Sequence, residues 1–104
     1  MEQHYLTNEQ IAAFASSLVR AERTPATIEK YLRSVRAFFL YLDGRPVTKD
    51  AVVAWKEHLQ SVGGYSPSTV NASMAAINDL FTFLSWPDCR IHYLKVQHLS
   101  LIHI

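Results

Sequence analysis

Two stretches decide the fold: TPATIEKYLRSVRAFFLYL at residues 24–42 and SPSTVNASMAAINDLFTFL at residues 66–84. Each opens on a hydroxyl residue followed by proline. Thr24 and Ser66 can accept a hydrogen bond from a first-turn backbone N–H. Pro25 and Pro67 then stand where a helix has no use for an N–H. Ile28, Leu32, Val35, Phe39 and Leu42 recur at helical spacing in the first stretch, with Tyr31 and Phe38 widening one edge. Val70, Met74, Ile77, Phe81 and Leu84 do the same in the second. The two align at a constant offset of 42 residues, sharing the cap, the proline and Thr27/Thr69. Caps and a 3.6-residue period explain most of the matches; the shared Pro-x-Thr is what they leave over.

Two further helices are read outward from this pair. Thr7 and Gln10 form a capping box, Leu6 and Ile11 a hydrophobic staple, and Ile11, Phe14, Ala15 and Leu18 a stripe that fades near Glu22. Thr48 caps another helix, with Val47 and Val52 staple-spaced and Val52, Trp55, Leu59 and Val62 on one face. Asp43-Gly44, Gly63-Gly64 and Pro87 end the second, third and fourth helices. Tyr65 and Val70 are again staple-spaced, and Trp55 and Trp86 read as packing anchors. No segment alternates over a useful strand length, so the expected class is all-α with short connections.

Composition bounds the rest. A chain of 104 residues with 49% hydrophobic residues suits one ordered domain. A single cysteine, Cys89, excludes an intrachain disulfide and suits a reducing, cytoplasmic setting. No apolar run is long enough to span a membrane, and the first five residues lack a signal-peptide layout. Net charge is only +1, but residues 20–36 hold Arg20, Arg23, Lys30, Arg33 and Arg36 against Glu22 and Glu29, a local balance of +3. Such a stripe suits phosphate binding, and equally an ordinary solvated helix face. Lys30, Arg33, Ala37 and Leu40 point away from the apolar stripe, and the equivalent face of the fourth helix carries Ala72, Ala75 and Asp79 beside Asn71 and Thr82.

The order is a short helix, a Thr-Pro-x-Thr helix, a Trp-bearing helix, then Tyr-Ser-Pro-Ser-Thr-Val-Asn opening an aromatic-ended helix. It resembles the N-terminal core-binding domain of tyrosine recombinases, the phage-integrase group. Thr27, Tyr31, Val35, Phe38 and Leu42 match the family's second helix. Ser66, Pro67, Thr69, Asn71, Leu80, Phe81, Phe83 and Leu84 match its fourth.

The resemblance implies a four-helix, SAM-like orthogonal bundle over residues 6–86. A tail at residues 1–5 would precede it, and the start of an interdomain linker with an atypical end at residues 87–104 would follow. It implies double-stranded DNA as partner, with sister protomers and a separate C-terminal catalytic domain in a full-length recombinase. The chain reads as truncated before that domain, with no catalytic residue and no cofactor. Arg23, Thr24, Thr27, Lys30, Arg33, Arg36, Ser68, Thr69 and Asn71 are the candidate DNA contacts. Most would fix position rather than read bases. One departure is that Ala72 and Ser73 stand where the family often has basic residues.

The sequence also carries features of two other kinds. Exposed Leu40 and the apolar residues 99–104 would suit a protein-interaction module without DNA binding. Cys89, His92, His98 and His103 loosely fit a zinc pattern, but one thiolate without a paired cysteine makes a poor structural site, so no metal is expected.

Overall fold

The computed structural model describes residues 3–90. They form four α-helices: α1 (Asn8–Arg20), α2 (Pro25–Leu42), α3 (Lys49–Ser61) and α4 (Pro67–Leu84), followed by a 3-10 turn at Pro87–Cys89. No strand occurs among the described residues; one isolated antiparallel bridge joins His4 to Val47.

Every helix starts where its cap residue dictates. Thr7 Oγ1 accepts from the Gln10 N–H at 3.1 Å while Gln10 Oε1 accepts from the Thr7 N–H at 2.9 Å, a complete capping box. Thr48 accepts from the Ala51 N–H at 3.0 Å. The staple residues Leu6, Ile11, Val47 and Val52 are all buried. Thr7→Ala removes the side-chain acceptor of the Gln10 N–H and leaves only the Gln10 half of the box, so it is expected to lower stability by about 1 kcal/mol. Chemical denaturation at neutral pH measures this; no change in midpoint would mean the box is idle.

The helix ends rest on left-handed residues and one close approach. Asp43 and Ser85 take φ of 50° and 62° to terminate α2 and α4. After α3 the chain turns so tightly that a Cβ on Gly63 would meet the Tyr65 ring at 2.7 Å and the Leu59 carbonyl oxygen at 2.9 Å. Only glycine fits there. Tyr65 therefore lies over Gly63 rather than inside the core. Arg45 closes the C-terminal end of α2, its Nε donating to the Leu42 carbonyl at 2.8 Å and its Nη2 to the Tyr41 carbonyl at 2.6 Å. The charge sits favourably at the negative end of the helix dipole.

α4 is the pillar of the bundle. It packs against α1, α2, α3 and the 3-10 turn, most extensively against α2. Its buried residues are Val70, Met74, Ala76, Ile77, Asn78, Leu80 and Phe81. This is wider than the single stripe expected from sequence, because a helix flanked on several sides has no one inner face. Asn78 is buried too and is engaged within the chain.

Two stripe assignments shift. On α2 the fully enclosed positions are Val35 and Phe38, with Phe39 only half-buried, so the inner face is rotated toward what sequence placed at the edge. Val62 is 74% exposed, because α3 ends at Ser61 and the glycine turn carries the chain away.

Aromatic rings meet in a continuous series of contacts. His4 stacks on Trp86 with centroids 4.4 Å apart, Trp86 meets Phe81 at 6.1 Å, Phe81 meets Phe38 edge-on at 6.3 Å, and Phe38 meets Trp55 at 6.0 Å. Such tilted contacts add to the area these side chains bury. Both tryptophans are thus the anchors expected of them.

Candidate nucleic-acid interface

The outward ridge of α2 positions the cationic side chains. Lys30, Arg33 and Ala37 follow each other at three- and four-residue spacing, so they share one face. On one side of this ridge lies a groove walled by α3 and the start of α4. Lys30, Arg33 and Ala37 line it from α2, Trp55 and Leu59 from α3, and Thr69, Ala72 and Ser73 from α4, with Tyr65 at the entry to α4. On the other side a second groove runs along the end of α1, lined by Arg23, Arg33 and Arg36 over Val19, Ile28, Leu32 and Leu40. Arg33 stands between the two and borders both.

Within these grooves the cations are weakly committed. Arg33 pairs with Glu29 at 3.5 Å across one helical turn, with both side chains about three-quarters exposed. Exposed pairs of this kind contribute a few tenths of a kcal/mol, so Arg33 is easily recruited by a phosphate. Arg23 lies 6.0 Å from the Tyr31 ring centroid. Lys30 and Arg36 are exposed and make no ion pair among the described residues.

The two Pro-started helix ends are built identically. Thr24 Oγ1 accepts from the Thr27 N–H at 3.2 Å and its hydroxyl donates to Thr27 Oγ1 at 2.9 Å. Ser66 accepts from the Thr69 N–H at 3.3 Å and donates to Thr69 Oγ1 at 3.2 Å. The shared Pro-x-Thr thus has a structural reason: a cap whose hydroxyl is anchored on the threonine three residues later. It leaves little backbone for an anion. Proline has no N–H and the threonine N–H is spent on the cap, so only the Ala26 and Ser68 N–H groups remain within each first turn. Thr27 and Thr69 each keep a hydroxyl proton to donate.

The candidate contacts divide accordingly. Lys30, Arg33 and Thr69 share one groove; Arg23, Arg33 and Arg36 share the other. Thr24 and Thr27 are bound to each other at the start of α2, and Ser68 is exposed at the start of α4. Asn71 is half-buried and already engaged within the chain. Sequence reading missed Trp55 and Tyr65 as groove walls. Trp55 is buried, and its indole Nε1 finds no acceptor among the described residues. An amphipathic pattern places Trp55 inward, but only the passage of α3 beside α2 brings it to a groove floor.

Among the described residues no tyrosine is set up as a nucleophile. Tyr41 has Arg45 5.2 Å from its ring centroid and His58 5.2 Å away ring to ring. These are contacts with the ring, not the hydroxyl, and Arg45 spends its N–H groups on carbonyls. Cys89 is fully enclosed; burial, and secondarily the Asp88 carboxylate, push its thiol up to about 11, so it stays protonated at neutral pH. His92, His98 and His103 of the zinc pattern, and residues 99–104, lie outside the described residues.

No curated protein and no solved structure gives a significant match to the chain. A family profile does match, and what it matches is an N-terminal domain, not a catalytic one. It covers residues 6–88, from the staple residue before α1 through α4 to the 3-10 turn. The all-α bundle and the match agree: the chain belongs to the phage integrase N-terminal, SAM-like domain family, which places it in site-specific recombination.

Proposed function

We propose that this domain binds double-stranded DNA as one arm of a recombinase clamp, with the strand-exchange chemistry supplied by a separate domain. The observation that carries the reading is the groove in which Lys30 and Arg33 of α2 face Thr69 of α4. Helices built on the same cap thereby bring charge and a hydroxyl donor to one surface. Lys30, Arg33, Arg36 and Arg23 neutralise phosphates, while Thr27, Ser68 and Thr69 donate to phosphate oxygens and fix the register. Thr24 acts through Thr27, and Asn71 borders the site without a free role. Since each helix end retains one spare N–H, side-chain charge rather than the helix dipole supplies most of the affinity.

A salt titration of binding to duplex DNA tests this. Four phosphate contacts predict a log–log slope of about −3.6, or roughly a hundredfold loss between 50 and 200 mM salt. Absence of binding at low salt, or binding without a slope, would overturn the reading. No helix among the described residues is long and apolar enough to cross a membrane, and the domain acts where the DNA is, in the cytoplasm.

A protein contact is the second reading. It is favoured by Val19 and Leu40, 63% and 75% exposed, which both line the groove between α1 and α2.

A further inference from the structure

His4, Asp88 and Cys89 come together at the end of the molecule where the N-terminal segment meets the 3-10 turn. One ligand atom from each lies within 4.8 Å of the others. His4 Nε2 is 3.6 Å from Asp88 Oδ1, and Cys89 Sγ is 4.0 Å from Asp88 Oδ2. We propose that these three side chains form a site for a thiophilic divalent cation of the zinc class, clipping the N-terminal segment to the end of α4.

The chemistry of the donor set selects the ion. One thiolate, one imidazole and one carboxylate suit zinc or cobalt, while magnesium and calcium require oxygen ligands throughout. Cys89 is a thiol at neutral pH, so binding releases its proton to solvent as the metal–sulfur bond forms, and the thiolate so formed, with the Asp88 carboxylate, balances the charge of a divalent ion. A tetrahedral zinc centre holds its ligand atoms roughly 3.3–3.8 Å apart, so the 3.6 Å between His4 and Asp88 already suits one, and the wider spacings, up to 4.8 Å, must contract on binding.

The ligands are also held in place. The Val47 N–H donates to the His4 carbonyl at 2.7 Å, and the His4 ring is stacked on Trp86 at an interplanar angle of 14°. Cys89 is fixed by the 3-10 turn, with its Sγ 3.8 Å from the Val47 carbonyl oxygen. Asp88 is the mobile member, its side chain 72% exposed. A surface hollow bordered by His4, Val47, Lys49 and Asp88 opens the imidazole and carboxylate side to solvent and leaves room for water as fourth ligand, while the enclosed Cys89 lies behind it.

The histidines that follow Cys89 in sequence are not needed for this arrangement, and it stands independently of DNA binding. Cobalt(II) added to the reduced full chain is expected to give a thiolate-to-cobalt charge-transfer band at one equivalent. Zinc should displace it and raise Tm by several degrees. Cys89→Ser should abolish the band. Because Cys89 is enclosed and that variant can lose stability, His4→Gln and Asp88→Asn provide the second arm. Each should weaken cobalt affinity at least tenfold in a folded protein. No band, or a band whose affinity survives both of these changes, would overturn the proposal; the second result would show the thiol recruiting other ligands.

Discussion

Replacing Phe81 with alanine should cost about 3–5 kcal/mol, among the largest losses a single truncation can bring. Phe81 is fully enclosed in the last turn of α4. It is the ring through which Trp86 on one side and Phe38 on the other are connected. Truncation removes the apolar area and leaves a cavity that helices packed on several sides cannot close. A domain of this size holds only about 5–15 kcal/mol in total, and each kcal/mol is worth roughly 4–8 °C. The midpoint of thermal unfolding should therefore fall by at least roughly 12 °C. Leu40→Ala is the control: Leu40 is 75% exposed, so its truncation should stay within about 0.5 kcal/mol. A Phe81→Ala loss below about 1 kcal/mol would mean that α4 is not the pillar.

The second large effect is on DNA affinity. Lys30→Glu combined with Arg33→Glu should weaken duplex binding at low salt by one to three orders of magnitude, at about 1–2 kcal/mol per reversed contact. It should also reduce the magnitude of the salt slope by about 2, since each lost phosphate contact removes about 0.9. Folding should barely change. Both side chains are exposed, and the Glu29–Arg33 pair becomes a like-charge pair costing only a few tenths of a kcal/mol. Lys30→Gln with Arg33→Gln should lie between wild type and the reversal. Lost affinity with an unaltered slope would show that the two residues act other than through phosphates.

The helices were legible because their signals are local. Thr7, Thr24, Thr48 and Ser66 each announce a start, and each makes the expected cap bond. What sequence concealed depends on distant partners. The rotation of the inner face from Phe39 to Phe38 follows from where α4 and Trp55 lie, not from the period of α2. Val62 fits the periodicity of α3 yet faces solvent, since the pattern does not mark the exact residue at which a helix stops. His4 sits in a stretch read as a tail, but its bridge to Val47 and stacking on Trp86 require chain ends that sequence cannot bring together.

The candidate interface was legible to a similar degree. Charge and caps pointed to Lys30, Arg33 and Thr69, which the fold brings to one groove. The role of the shared Pro-x-Thr changed on inspection: the threonine hydroxyl is the anchor of the cap. The cost is paid in backbone donors, and the burden of binding moves to side chains.

Helices α2 and α4 follow one ground plan but live under different constraints. α4 is largely buried, so a substitution along it usually disturbs packing, with Pro67, Ser68, Thr69, Thr82 and Phe83 the exposed exceptions. α2 keeps a long face bare, where Lys30, Arg33, Ala37 and Leu40 change hands at almost no energetic penalty. The repeat thus separates a half that must be kept from a half that can drift. Rewriting the bare face of α2 would therefore tune how tightly such a domain grips DNA, while the buried side of its twin preserves the scaffold.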